Sequence, residues 1–157
     1  MLKIDVLGMG RLSLKYLATD FNGTLAVDGK LIPGVAARLD ALSKKLMIHV
    51  VTSDTHDSAR IELRDVNCKL HVVSGARQDF QKHLLIKELG ADGTVSIGNG
   101  QNDRRMLKTA RLGICIIERE GASAGAMAAA DICVSSIADA LDMLLHTDRL
   151  KATLRLA

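Results

Sequence analysis

Asp20-Phe21-Asn22-Gly23-Thr24-Leu25 follows the apolar run Tyr16-Leu17-Ala18 and precedes a turn at Asp28-Gly29. An acid closing an apolar run, followed by a Gly-Thr turn, sets a carboxylate at the carboxyl end of a buried strand, where it can meet phosphate as a nucleophile. Acidic turns also cap strands simply by hydrogen-bonding their own backbone, so the hexapeptide alone leaves both readings open. The rest of the chain decides between them.

The 157 residues suit one domain, 1–157, with a single core. At 48% hydrophobic and 25% charged residues the composition is that of an ordinary globular protein, and no apolar run approaches the ~18 residues of a membrane span. The first residues, Met1-Leu2-Lys3-Ile4-Asp5-Val6, place charges among apolar positions and form no secretory core, so a cytoplasmic location is expected. Cys68, Cys115 and Cys133 are odd in number and widely spaced, which argues against a disulfide framework or a zinc knuckle and for buried free thiols. A net charge of +3 and three aromatic residues, Tyr16, Phe21 and Phe80, supply neither the charge nor the stacking platforms of a nucleic-acid binder.

In chain order, residues 2–7 and 14–19 read as strands around Gly8-Met9-Gly10, a hairpin entering the sheet. Gly8 and Gly10 lack the third glycine of a dinucleotide fingerprint. Residues 25–33 contain Asp28-Gly29-Lys30 and predict a small hairpin flap beside the nucleophile. Val35, Leu39, Leu42 and Leu46 repeat at helical spacing. Residues 47–51 form a short strand ending at Thr52-Ser53-Asp54-Thr55-His56, whose hydroxyls and caps open a helix from Asp57 to about Asp65. His56 lies in a loop at the strand end, where exposure without function is the commoner state.

Further along, 69–73 reads as a strand and 78–89 as a helix with Phe80, Leu84, Leu85 and Leu89 inside, closed by Gly90. Residues 94–97 form a strand running into Gly98-Asn99-Gly100-Gln101-Asn102-Asp103 and a helix through Ala110. Then come a strand at 112–117, a small-residue helix at 121–130, a short strand at 132–134 and an amphipathic helix at 137–146. Arg149, Lys151 and Arg155 decorate a terminal helix or tail. Strands alternating with helices predict an α/β fold, a Rossmann-like three-layer sandwich on a mainly parallel sheet. Ligands in such sheets bind beyond the carboxyl ends of the strands, which puts Asp20, Thr52-Ser53 and residues 99–103 on one rim.

With those positions in order, roughly residues 16–140 resemble a haloacid-dehalogenase-superfamily phosphohydrolase. Asp20-x-Asn22-Gly23-Thr24 is similar to the nucleophile motif, and Thr52 or Ser53 to the hydroxyl motif that holds a phosphate oxygen. Lys82 resembles the lysine that steadies phosphate and nucleophile, with Lys87 as its rival on the same helix. Gly98 to Asp103 resembles the acidic metal motif Gly-Asp-Gly-x-Asn-Asp, in the form closest to the phosphorylation domain of P-type ATPases and their soluble relatives. The resemblance implies phosphate binding by Thr52, Ser53, Lys82 and Gly23. It also implies a Mg²⁺ ion held by Asp20, the backbone carbonyl of Asn22, and Asp103 or Asn99. An aspartyl phosphate on Asp20 would be the intermediate. Such chemistry needs a positioned nucleophile and cations spread over the phosphate oxygens.

Two departures bear on activity. Asn22 stands where most of these phosphatases carry an acid/base aspartate, and an amide cannot relay a proton, a loss of about 10² to 10⁴ in rate. Asn99 removes a carboxylate from the expected metal shell. The 32 residues from Asp20 to Thr52 and the 30 from Thr52 to Lys82 leave no room for a cap domain. An open site in this superfamily goes with large substrates or a neighbouring subunit as lid, so a homo-oligomer is implied by resemblance. The expected function is a slow Mg²⁺-dependent phosphatase acting on a phosphorylated substrate. The alternative is a catalytically degenerate Mg²⁺- or phosphate-binding module serving regulation or assembly.

Overall fold

The computed structural model describes residues 1–53 and 56–156. Asp54, Thr55 and Ala157 lie outside the described residues, and with them the Thr55 hydroxyl expected in the helix entry. Among the described residues no helix is long and apolar enough to cross a membrane.

Six strands make one parallel sheet. In chain order they are β3 (Tyr16–Thr19), β6 (Met47–Thr52), β7 (Lys69–Val72), β8 (Thr94–Gly98), β9 (Leu112–Ile116) and β10 (Ile132–Val134), arranged in space as β10-β9-β8-β3-β6-β7. The order reverses at β3, so the first strand of the sheet is also its centre. Thr19 pairs with Val50 on one side and Ile97 on the other. Such a strand is buried on both faces, which is why Leu17, Ala18 and Thr19 have no exposure.

Side-chain alternation divides the core in two. Leu17, Ile48, Val50, Ile97 and Ile114 face α1 (Val35–Ser43), α6 (Ile137–Leu145) and α7 (Thr147–Leu154). Ala18 and Val51 face α3 (Gln78–Leu89) and α4 (Arg104–Thr109), with Ile86 and Met106 between. The result is three layers. Ile137, Leu141 and Leu144 of α6 are each at most 1% exposed, worth roughly 1.5–3 kcal/mol apiece.

The N-terminal hairpin differs from the expectation. Its second strand is β2 (Gly10–Leu14), antiparallel to β1 (Leu2–Val6) in a separate two-stranded sheet. Residues 16–19 belong to the main sheet instead. Lys15 is the hinge: its N–H donates to Gly93 O and its carbonyl accepts from Met47 N, which hands the chain from one sheet to the other. The inner face of α3 also differs, because Leu84 is exposed while Lys82 and Ile86 are buried. Burying a lysine overrides the apolar stripe only because two carboxylates await it. Two helices are shorter than their sequence patterns: α2 spans Ser58–Glu62, and α5 spans Ala124–Ala129, started by the Ser123 side chain accepting the Ala126 N–H at 3.0 Å. Of the thiols, Cys115 is buried, Cys68 is half-buried and Cys133 is exposed. Two short strands, β4 (Ala26–Val27) and β5 (Lys30–Leu31), form the hairpin that follows the Asp20 turn.

Candidate active site

Asp20 is the first residue beyond β3, and its N–H still donates to Ile97 O at 3.0 Å, which keeps it in line with the sheet. The chain then turns tightly. The Phe21 carbonyl accepts from Thr24 N, Leu25 N and Ala26 N at 3.2, 2.9 and 3.0 Å, and Phe21 itself is fully buried as the anchor of the turn. Gly23 has φ +75, and a Cβ there would lie 2.7 Å from Asn99 Nδ2 and from Glu120 Oε2. A side chain is excluded both by the left-handed backbone and by the neighbours.

Lys82 reaches the strand ends from α3. Its ammonium donates to Asp20 Oδ1 at 2.8 Å and to Asp103 Oδ1 at 2.6 Å, with Lys82 and Asp103 wholly buried and Asp20 7% exposed. Asp103 is fixed from its other oxygen, Oδ2, which accepts the N–H groups of Asn99 at 3.1 Å and Gly100 at 2.9 Å. Room for that carboxylate exists because residue 98 is glycine; a Cβ there would stand 2.6 Å from Asp103 Cγ.

Burial, and then the Asp103 charge, push Asp20 up to about 7, more than Lys82 pulls it down. Burial lowers the Lys82 ammonium, but Asp20 and Asp103 outweigh it, and its value stands above that of an ordinary lysine. Both shifts agree with a buried trio carrying two negative charges and one positive.

The other sequence-predicted residues fall around this trio with different freedoms. Thr52 is buried at the end of β6, beside β3, and Ser53 follows it half-buried. Asn22 is exposed. Gly23, expected at phosphate, donates its N–H to Ala26 O at 2.8 Å. Asn99 is wired at both ends of its amide: Oδ1 accepts the Thr24 hydroxyl at 3.2 Å and Nδ2 donates to Gly121 O at 2.9 Å. Lys87 is exposed and His56, also exposed, lies in the loop after β6.

Sequence reasoning gave no role to Thr24, Glu120 or Gly121. Thr24 sat inside the quoted motif, and its pairing with Asn99 needs the fold, since 75 residues separate them. Glu120 and Gly121 arrive because β9 lies next to β8, so the loop after β9 crosses the Asp20 turn. No local pattern announces that.

Among the described residues, no three His, Cys, Asp or Glu side chains cluster as a metal site. The oxygens near Asp20 nevertheless suit a hard cation: one carboxylate oxygen of Asp20 beyond the lysine contact, the Asn22 carbonyl and the Asn99 amide oxygen. The space over Gly23 that a Cβ would fill lies against the Asn99 amide and the Glu120 carboxylate. A magnesium ion fits this donor set, with fewer carboxylates than such a site can carry.

No protein-family model matches the sequence. An uncharacterized protein of Methanocaldococcus jannaschii is 54% identical over 61 residues, a stretch that covers 39% of this chain and 66% of that protein. A cobalt-bound deoxy-D-mannose-octulosonate 8-phosphate phosphatase of Haemophilus influenzae superposes with a TM-score of 0.71 at 16% identity, covering 89% of this chain and 92% of its own. A 3-deoxy-D-manno-octulosonate 8-phosphate phosphatase of Moraxella catarrhalis, solved in complex with a magnesium ion, a phosphate ion and a KDO molecule, gives 0.71 at 16% identity over 90% of this chain and 94% of that one. An apo phosphoserine phosphatase gives 0.67 at 13% identity over 85% and 99%. The chain shares the fold of these phosphatases.

Proposed function

We propose that this chain, which has the haloacid-dehalogenase fold, is a Mg²⁺-dependent phosphohydrolase that uses Asp20 as its nucleophile on a phosphorylated small molecule. The observation that carries the reading is the buried Lys82 bridge between Asp20 and Asp103 at the carboxyl ends of β3 and β8. A chain gains little stability from burying two carboxylates around one ammonium, since desolvation of such groups offsets their attraction. Reactivity is the better account of that expense.

In this reading the Asp20 carboxylate attacks phosphorus and Lys82 neutralises charge on both partners. Asp103 holds Lys82 in place and ties it to the 99–100 backbone. Thr52 and Ser53 offer hydroxyls to the phosphate oxygens from the end of β6. Asp20, the Asn22 carbonyl and Asn99 would hold Mg²⁺, which when bound withdraws charge from the phosphate. Asp103 has both oxygens engaged and Asn99 Oδ1 already accepts the Thr24 hydroxyl, so either one becomes the third protein ligand only by exchanging a contact it now holds.

Attack by Asp20 requires no proton transfer to the nucleophile. Hydrolysis of the resulting aspartyl phosphate requires a base for water, and Asn22 supplies none. Turnover is therefore slow, with the acyl phosphate accumulating, as in the P-type ATPases whose metal motif residues 98–103 resemble. The exposed Asn22 and the internally bonded Asn99 also favour a second reading, a Mg²⁺- and phosphate-binding module without turnover.

The experiment is to incubate the protein with labelled acetyl phosphate and Mg²⁺, quench in acid and measure acid-stable, base-labile label on wild type and Asp20→Asn. The activated donor removes the need for leaving-group protonation. Label on wild type alone, chasing slowly to free phosphate, supports the enzyme. Saturable phosphate binding without any label supports the second reading, and neither result leaves the site without a phosphate function.

A further inference from the structure

The wall that carries Lys82 and Asp103 continues outward into a shallow, open cavity of about 390 Å³, lined by Arg77, Gln78, Asp79, Gln101, Asn102 and Arg104. It starts close to the reaction centre. Gln78 stands four residues before Lys82 on α3, about one turn or 6 Å along the same face, and Asn102 immediately precedes Asp103. The two walls meet where the Asn102 amide donates to Gln78 Oε1 at 3.5 Å.

The lining is cationic. Asp79, its one carboxylate, is answered by Arg105 at 2.7 Å, so the charges of Arg77 and Arg104 stand uncancelled. Neither arginine enters an ion pair among the described residues. Arg77 is also held in place: its guanidinium carbon sits 4.8 Å above the Phe80 ring, and its backbone takes φ 59, which residues other than glycine adopt at a cost. A cation kept at that position, at the start of the helix that carries Lys82, has a use if the substrate carries a second negative group. The three amides add donors and acceptors without cancelling charge, which suits an anion attached to a hydroxylated stem.

We propose that this cavity is a second anion subsite, and that the chain selects small phosphate monoesters bearing a further carboxylate or phosphate, held between Arg77 and Arg104 while the ester phosphate lies at Asp20. The proposal rests on the phosphohydrolase reading. Guanidinium groups are fitted to it because their planar N–H pairs match both carboxylate and phosphate oxygens. Because both side chains are exposed, added salt weakens the selection.

The test uses three esters: phosphoglycerate with its carboxylate, propanediol bisphosphate with its second phosphate, and glycerol phosphate with neither. Their affinities are measured by calorimetry on Asp20→Asn protein in Mg²⁺, alone and with Arg77→Gln, Arg104→Gln or both. Phosphate release from the same esters is followed in the Asp20 background. Circular dichroism and thermal melts establish that each variant is folded. The expected result is a preference for one or both two-anion esters over glycerol phosphate that falls roughly tenfold or more in the double variant, as befits lost hydrogen bonds to charged groups. Which two-anion ester loses more identifies the carboxylate or the phosphate as the native second group. An unchanged ratio, an equal loss for glycerol phosphate, or no binding of any ester overturns the subsite. Failure of phosphate release with the binding ratio intact would instead count against hydrolysis and leave the subsite standing.

Discussion

Replacing Asp20 with Asn removes the nucleophile, and it is expected to stabilise the magnesium-free protein above neutral pH. Asp20, Lys82 and Asp103 place two carboxylates and one ammonium in a buried cluster, leaving one negative charge uncompensated. The strain appears on Asp20, whose carboxyl stands at about 7 where an ordinary aspartate stands at 3.8. That difference is worth about 4 kcal/mol against the charged form. Because this acid is raised on folding, the folded protein holds the extra proton between about pH 4 and 7. Stability therefore falls as pH rises through that window, with the full penalty present above about pH 7 and none below about pH 4.

The amide keeps the shape and still accepts a hydrogen bond from Lys82 but forfeits the ionic part of it, so 4 kcal/mol is a ceiling and a net gain of about 1–3 kcal/mol is expected near pH 8. For a chain of this size that raises Tm by about 2–12 °C. Urea and thermal unfolding of both proteins from about pH 5 to 8, in chelator and in Mg²⁺, measure it. The gap should close toward about pH 5, and Mg²⁺ should reverse the order by binding the wild-type carboxylate. A variant less stable than wild type near pH 8 in chelator would refute the claim that Asp20 carries the uncompensated charge.

Asn22→Asp is expected to speed dephosphorylation of the labelled protein by about 10² or more, because it supplies the missing base; a chase no faster than wild type removes Asn22 as the brake. Arg38 holds Asp142 through two hydrogen bonds of 2.8 and 3.2 Å that tie α1 to α6 and keep the Asp142 carboxyl below its ordinary value. Since that acid is lowered on folding, its contribution is present above about pH 4 and disappears as pH falls through the folded value. Asp142→Asn should cost about 1 kcal/mol at neutral pH, discounted for partial exposure, and almost nothing in acid, as read from urea midpoints. Gly113→Ala would drive a methyl into the Leu107 carbonyl, and a loss of about 1–3 kcal/mol in the unfolding free energy is expected, with Gly121→Ala, where a Cβ meets open space, as the comparison for a smaller, purely conformational cost.

The parallel sheet was legible because β-type runs at 47–51, 94–97 and 112–117 alternate with helical spacing, a pattern with few other solutions. The N-terminal strands were misplaced because no glycine or proline marks a boundary between Arg11 and Thr19, and periodicity cannot say that Lys15 turns the chain from one sheet to another. The α3 stripe misled for a related reason. Leucines at 84, 85 and 89 look like an inner face, whereas the burial of Lys82 is set by carboxylates 62 and 21 residues away in sequence.

Local chemistry decides what can be written along a single strand end or turn: an acid after an apolar run, a glycine where the backbone turns left-handed at residue 23, hydroxyls closing β6, and an acid at the end of the 98–103 loop. Those identities were determined by the sequence alone. Tertiary structure decided which of them meet. Thr24 finds Asn99, Glu120 overhangs Gly23, and Arg77 and Arg104 come to share one cavity, because parallel strands deliver all their carboxyl ends to the same rim whatever their separation along the chain. It also decided how Asp20 titrates, since desolvation and an uncancelled neighbouring charge are properties of burial, which no residue carries in its name.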